Sequence, residues 1–381
     1  MTLPGAATLG GSGRWAWAEV DTAAIEHNVG VIRRAAAPSD VWAVVKADGY
    51  GHGAVVAAQA ALRGGATGLC VALVQEGAAL REAGIDAPVL VLSQQPPSEW
   101  AAAVAHRLTS TVYSSACIAG LAGEAAAQGV AHLVHLKVDT GMHRVGCAPG
   151  DATELARAVT AAPSLQFEGV FTHLAVADEP SHPANAQQLA AFDEVLAGLA
   201  AAGLTPPLMH AANSAGALAH PGARHSLVRA GIAIYGISPG QGVDALAHEL
   251  RPALALHARV AHVQRLAPGE HVSYGWRHTV AQPTTIATVP IGYADGVPRR
   301  LWATGGEVLI DGKRRPIVGV VTMDQLMIAM GDDEVAVGAP VVLIGEQGGE
   351  RITAAEWAER LGTIGYEIVC GISRRITRHT R

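Results

Sequence analysis

Lys46 ends the run Val41-Trp42-Ala43-Val44-Val45 and leads straight into Ala47-Asp48-Gly49-Tyr50-Gly51-His52-Gly53. A β-branched run reads as a buried strand, and three closely spaced glycines demand a tight turn with exposed backbone. Lysine is almost never fully buried without a partner, and the carboxyl end of a strand is where α/β folds place chemistry. The chain holds three lysines, Lys46, Lys137 and Lys313, and arginine supplies the other 24 of its 27 basic residues. Lysine was not used here as routine surface charge. An amine that must shed a proton and attack a carbonyl cannot be replaced by a guanidinium. The competing reading is a strand-end lysine that snorkels to solvent.

Further polar groups end or follow other apolar runs. They are Lys137-Val138-Asp139-Thr140-Gly141-Met142-His143-Arg144, Thr172-His173, His210-Ala211-Ala212-Asn213-Ser214-Ala215 and Arg229-Ala230-Gly231-Ile232. In a barrel, the loops after strands seven and eight commonly bind phosphate. Ser214 offers a hydroxyl there, and Gly231 lets a backbone N–H approach closely. A reactive lysine plus a phosphate cradle implies pyridoxal phosphate held as a Schiff base.

The elements that must position these groups alternate over the first two thirds of the chain. Short apolar runs recur at Val41–Val45, Leu69–Leu73, Val89–Leu92, Thr109–Tyr113, His132–Val138, Phe167–Thr172, Pro207–Ala211 and Leu227–Tyr235. Alanine- and leucine-rich helical stretches such as Ala54–Arg63, Gln75–Ala83 and Gln187–Ala202 separate them. Eight strand-helix alternations fit a closed, TIM-like (β/α)8 barrel, although seven or nine strands can also be counted. After Pro239-Gly240 the pattern becomes strand-rich, at Leu254–Val263, Thr284–Tyr293, Glu307–Ile310, Ile317–Met323 and Pro340–Ile344, with a late helix at Thr353–Leu361. Gly, Pro and Asp-Gly turns divide these strands. The expectation is α/β plus all-β: an N-terminal barrel over residues 13–250 and a C-terminal β domain over 251–381.

Composition bounds the function. The 381 residues are half apolar, but no stretch reaches the ~18 uninterrupted apolar residues of a membrane span. Met1-Thr2-Leu3-Pro4-Gly5 lacks the features of a secretory signal. The four cysteines, Cys70, Cys117, Cys147 and Cys370, lie far apart and read as small buried hydrophobes in a reducing compartment. The 17 histidines show no metal-ligand spacing, so no metal is expected, and most of them read as surface or cap residues. A net charge of −6 with no basic block argues against nucleic acid. These features describe a cytoplasmic protein acting on a small molecule, with neither nucleic acid nor membrane as partner.

The runs AVVKADGYGHGA, KVDTGMHRVG, HAANSAG, RAGIAIYG, SYG, IGYADG and TMDQ together resemble the alanine racemase family of barrel-type (fold-type III) pyridoxal-phosphate enzymes. The resemblance extends from about Trp15 to Arg375. It implies interconversion of L- and D-alanine to supply D-alanine for peptidoglycan, with pyridoxal 5'-phosphate as cofactor. It also implies a homodimer whose active sites each combine one subunit's barrel with the other's β domain. Lys46 is implied to carry the cofactor and to act as base toward the D-enantiomer, and Tyr274 as the opposed base toward the L-enantiomer. Two bases suit racemisation, because a proton leaves one face of a carbon and returns to the other. Tyrosine's ordinary pKa of about 10 calls for a nearby cation, and His173 beside an arginine is the implied relay.

The same resemblance assigns Arg229 to the cofactor's pyridine nitrogen, where a permanent cation leaves that nitrogen unprotonated. A surface ion pair is the alternative for this arginine. Arg144 and the Met323 backbone are implied for the substrate carboxylate. Tyr50, Ser214, Gly231 and Ile232 are the implied phosphate contacts, and His173 and Asn213 complete the cofactor set. Tyr293 and Asp324 are implied at the entrance. Lys137 matches a lysine that some family members carbamylate, and an ordinary ion pair with Asp139 is the alternative. Two positions depart from the pattern: Arg374 stands where several members place a tyrosine, and Val320 where an arginine is common. Serine or broad-specificity racemisation keeps the same fold. A non-catalytic pyridoxal-phosphate carrier or a basic amino-acid decarboxylase would lack the SYG, YADG and TMDQ set.

Overall fold

The computed structural model describes residues 13–381, which divide into two compact units. One comprises Val20–Leu254 with Thr380–Arg381, and the other the residues up to Glu19 with Ala255–His379. Strand β1 (Ala16–Val20) lies near the start of the described chain and pairs with Leu254–Arg259 and Thr377–Thr380.

Eight strands then build the first unit: β2 (Asp40–Val44), β3 (Gly68–Val71), β4 (Val89–Val91), β5 (Thr109–Val112), β6 (His132–Lys137), β7 (Leu165–Phe171), β8 (Leu208–His210) and β9 (Leu227–Ala230). All pair in parallel, each beside its predecessor, and β9 returns to lie against β2. The remaining seam, between β8 and β9, is bridged by Ser226 N–H to Met209 O and Arg229 N–H to Ala212 O, both 3.0 Å. The result is a nearly closed (β/α)8 barrel, and the eight expected runs supply its strands. Helices such as Ala54–Arg63, Val74–Glu82 and Pro183–Ala201 follow the strands. Several start on a side-chain cap: Asp21 accepts from Ala24 N at 2.9 Å, and Asn213 from Gly216 N at 2.9 Å.

Barrel interiors are usually filled by branched aliphatic side chains. Here Thr111, His132, His135, Lys137, His210 and Arg229 are buried polar residues of the strands or their ends. Most histidines are at least partly exposed, as expected, but His52, His132, His135 and His210 are buried. Cys70, Cys117 and Cys147 are buried thiols as expected, whereas Cys370 is exposed at the end of the helix Gly365–Cys370.

In the second unit, β1 lies between Leu254–Arg259 and Thr377–Thr380 in a seven-stranded sheet that also holds Glu307–Ile310, Lys313–Pro316, Pro340–Gln347 and Glu350–Ile352. A three-stranded antiparallel sheet joins His262–Leu266, Thr284–Val289 and Leu326–Gly331. The expected strand at Ile317–Met323 is not one. Gly319 turns the chain there with φ +69°, close against Val272 O, and the strand forms at Leu326–Gly331 instead. Val272, Val280, Ile286 and Val318 pack as a core beside that sheet. Among the described residues, no helix is long and apolar enough to cross a membrane.

Candidate active site

Lys46 stands half-buried at the carboxyl end of β2. The four residues after it, Ala47, Asp48, Gly49 and Tyr50, all have left-handed φ values, 53°, 54°, 62° and 52°. L-residues resist this region by about 1–2 kcal/mol each, so the turn must be held from outside. Glu76 does so. Its Oε1 accepts from Ala47 N at 2.6 Å, and its Oε2 from Ala72 N and Leu73 N at 2.8 and 3.2 Å. Asp48 Oδ1 accepts from Ala54 N at 2.9 Å, which ties the turn to the following helix. The sequence reasoning missed Glu76, and the available signal was an acidic residue just past the end of β3.

Tyr50 is buried, its ring 5.1 Å from that of Tyr235, whose hydroxyl donates to Val44 O at 3.0 Å. A Cβ added to Gly231 would sit 2.7 Å from Tyr50 Oη, so only glycine admits this approach. Ser214 Oγ accepts from Gly231 N at 2.8 Å and from Ala233 N at 3.4 Å, which turns its own O–H outward. Asn213 caps the short helix Ser214–Ala219, and Ile232 opens the 3-10 turn Ile232–Tyr235. The structure thus brings Tyr50, Asn213, Ser214, Gly231 and Ile232 to the loops after β2, β8 and β9.

Arg229 is buried on β9 and richly bonded. Its Nη1 donates to His210 Nδ1 at 2.6 Å, and its Nη2 reaches Thr172 O at 2.8 Å, Ala211 O at 3.0 Å and His173 Nδ1 at 3.1 Å. These partners leave the Nε–H and one Nη1–H without an acceptor among the described residues. Burial and Arg229 push the His173 and His210 imidazoles well below their ordinary pKa, so both are neutral. His173 accepts at Nδ1 and therefore keeps its proton on Nε2.

Lys137, Asp139, Arg144, Thr172 and His173 line one small cavity. Lys137 Nζ donates to Leu92 O at 3.3 Å and lies 5.3 Å from the centre of the Phe171 ring. Burial, Arg229, Arg144 and Lys46 together lower its pKa to about 7. Asp139 is not its ion-pair partner here. Asp139 Oδ1 accepts from the backbone N–H groups of Gly141, Met142 and His143, each at 3.0 Å, and so shapes the loop that carries Arg144.

The second unit carries the remaining residues. Tyr274 is 71% exposed and Met323 52% exposed, and Tyr293 is also exposed. Tyr293 N–H donates to Thr322 O at 2.9 Å and Ala294 N–H to Met323 O at 3.0 Å, so these two loops are laced together. Asp324 pairs with Arg375 at 2.6 Å, and Arg374 is exposed. Val320 is buried and its carbonyl accepts from Ser273 Oγ at 2.7 Å. It therefore anchors the Tyr274 loop.

The barrel's donor set fits pyridoxal phosphate: an amine at Lys46, a spare cationic N–H at Arg229, and a hydroxyl and backbone cradle at Ser214 and Gly231 that a Cβ would fill. The groups of His, Cys, Asp and Glu among the described residues form no cluster able to hold a metal.

Comparisons with known proteins cover nearly the whole chain. Residues 20–239 match the family model for the alanine racemase N-terminal domain, and residues 253–380 match that for the C-terminal domain. The chain is 49% identical over 363 residues to the alanine racemase of Symbiobacterium thermophilum, covering 95% of this chain and 96% of that protein. It is 45% identical to that of Thermobifida fusca, covering 96% and 97%. Among solved structures, alanine racemase from a D-cycloserine-producing Streptomyces lavendulae superposes with a TM-score of 0.92 at 38% identity, covering 97% of this chain and 98% of that one. The Bacillus anthracis alanine racemase with bound L-Ala-P gives 0.91 at 41% identity, covering 98% and 96%.

Proposed function

The chain belongs to the alanine racemase family, and from that premise we propose how its residues interconvert L- and D-alanine. The observation that carries the reading is Arg229: a buried cation whose Nη groups are anchored on protein acceptors while its Nε–H and one Nη1–H meet none among the described residues and so can meet a ligand.

Pyridoxal 5'-phosphate, when bound, supplies an electron-withdrawing ring that acidifies the substrate's α-hydrogen. Lys46 Nζ would hold its aldehyde carbon, and Tyr50, Asn213, Ser214, Gly231 and Ile232 its phosphate end. Arg229 would meet the ring nitrogen with a spare N–H and, as a cation, would leave that nitrogen unprotonated. By withholding a proton from that nitrogen, Arg229 would moderate the ring's electron withdrawal and so would disfavour side reactions. Arg144 with the Met323 backbone orients the substrate carboxylate. Lys46 Nζ and Tyr274 Oη then take and return the proton on opposite faces of the α-carbon. His173, fixed by Arg229 at Nδ1, has its Nε2–H left to donate to a base. Tyr293 and Asp324 border the entrance, and Arg374 beside them sets how large a substrate enters.

The enzyme is proposed to act as a cytoplasmic homodimer in which Tyr274 of the partner subunit serves each Lys46, and to supply D-alanine for the cell wall. Its buried free thiols suit a reducing compartment.

Borohydride reduction of the loaded protein, followed by peptide mapping, should label Lys46 and neither Lys137 nor Lys313. Incubation in deuterated water should exchange the α-proton of both alanine enantiomers, with serine slower. Label on another lysine, or exchange of one enantiomer alone, would sink the two-base assignment.

A further inference from the structure

A line of hydrogen bonds runs from Arg229 down the barrel interior, away from the mouth. Arg229 Nη1 meets His210 Nδ1 at 2.6 Å, His210 Nε2 meets His135 Nδ1 at 2.9 Å, and His135 Nε2 meets Glu168 Oε2 at 3.0 Å. Guanidinium has only donors, so His210 Nδ1 must accept and its proton must sit on Nε2. That proton is donated to His135 Nδ1, which forces the His135 proton onto Nε2 as well. Glu168 receives it. One end of the line fixes every tautomer along it, and the other end is a carboxylate that completes it. Burial lowers the pKa of both histidines, so the charges stay at the two ends.

The fold builds this line deliberately. Parallel strands β6 and β7 pair Val134 with Phe167 and then His135 with Gly169, so Glu168 is an extra residue in the ladder. Such a bulge re-aims a side chain, and here it brings Glu168 to His135. The glycine that follows makes room for the ring, since a Cβ on Gly169 would lie 2.7 Å from His135. Phe171 stacks on His210 at 4.6 Å and 9°, and Trp42 lies 5.9 Å from His135, which fixes both imidazole planes. Among the described residues no carboxylate pairs directly with Arg229. The Glu168 side chain is 20% exposed and also accepts from Thr109 Oγ1 at 3.3 Å.

We propose that Glu168 is the remote counter-ion of Arg229, acting through His135 and His210 as a positioning residue that holds the guanidinium oriented toward the cofactor ring. This rests on the reading of Arg229 given above. A buried cation without a compensating charge is costly, and two neutral imidazoles let the compensation sit outside the crowded mouth. At an effective dielectric of about 20, a carboxylate three hydrogen bonds away shifts an equilibrium by up to about tenfold.

The test uses the full-length protein, with and without pyridoxal phosphate. Nitrogen-15 NMR should find His135 and His210 both neutral with the proton on Nε2. Glu168→Gln keeps an oxygen acceptor for His135 but removes the charge. It should lower kcat by about 3- to 10-fold and leave KM within about twofold, at near wild-type Tm. A proton on Nδ1 of either ring in wild type overturns the proposal, and this measurement needs no variant to fold. An unchanged kcat in Glu168→Gln overturns it too. Arg229→Gln, measured alongside, reports on the parent reading: wild-type turnover there removes the pyridine-nitrogen role, while the tautomers still decide whether Glu168 completes the line.

Discussion

Lys137 Nζ and Arg229 Cζ approach the same Phe171 ring, at 5.3 and 5.1 Å, and this crowding of cations has measurable consequences. The Lys137 pKa falls from 10.5 to about 7 through burial and the nearby charges of Arg229, Arg144 and Lys46. The folded chain therefore binds fewer protons than the unfolded chain between about pH 7 and 10.5, and stability rises with pH across that window. Below about pH 7 the folded state must carry the full cost of a charged, buried amine. Lys137→Met removes that burden, so the variant's Tm advantage over wild type should shrink steadily from pH 7 to 10. A gap independent of pH would show that Lys137 is not depressed. Arg229→Lys tests the other cation. One ammonium cannot reach His210, Thr172 and Ala211 together, so the variant should lose about 2–4 kcal/mol. That corresponds to a Tm fall of roughly 5–15 °C in a unit of this size, and turnover should drop at least about tenfold. Unfolding curves and steady-state rates check both.

The left-handed turn after β2 shows what an element must do to present one amine. Ala47 and Asp48 sit at φ 53° and 54° without the freedom of glycine, and Glu76 clamps the first of them. Ala47→Gly should therefore raise stability by about 0.5–1 kcal/mol, while Glu76→Ala should cost about 2–3 kcal/mol by orphaning three backbone N–H groups. Urea titrations of both variants measure this, and a loss of stability in Ala47→Gly would mean that the turn is not strained. This turn also marks where sequence reading stops. The glycines at 49, 51 and 53 announce a turn, but nothing in the one-dimensional pattern says that the alanine and aspartate before them share the left-handed region. Strand positions were legible because β2, β3, β4 and β9 are buried along almost their whole length and read as unbroken apolar runs. The bulge at Glu168 was not, since one extra residue in a ladder leaves no trace in hydrophobic periodicity. His210 stood out among the polar groups at a strand end and His135 lay inside an apolar run, but neither position reveals that the two rings bond to each other. In the second unit, the apolar stretch 317–323 resembled a strand because its side chains are buried, yet Gly319 spends that burial on a turn.

At the scale of the whole molecule, the two proposed bases lie in different units. Lys46 belongs to the barrel, and Tyr274 to the C-terminal unit, in a loop where Trp276 is as exposed as Tyr274. Large exposed aromatic side chains in one short loop are the kind of surface that a partner covers, and a two-fold pair presents the same surface twice. Shared sites make a specific arithmetic. In a mixed dimer of Lys46→Ala and Tyr274→Phe subunits, one site collects both substitutions and the other collects neither. Each homodimer lacks one base at both sites and should be inactive in both directions. The mixed dimer should regain up to about half of the wild-type rate. Tagging the two variants differently and purifying only doubly tagged dimers removes the silent homodimers from the measurement. Recovered racemisation in that fraction means that each site draws its bases from two chains. Verified mixed dimers that stay silent mean that each chain builds its own site, and the pairing of Tyr274 with the neighbouring subunit's Lys46 is then wrong.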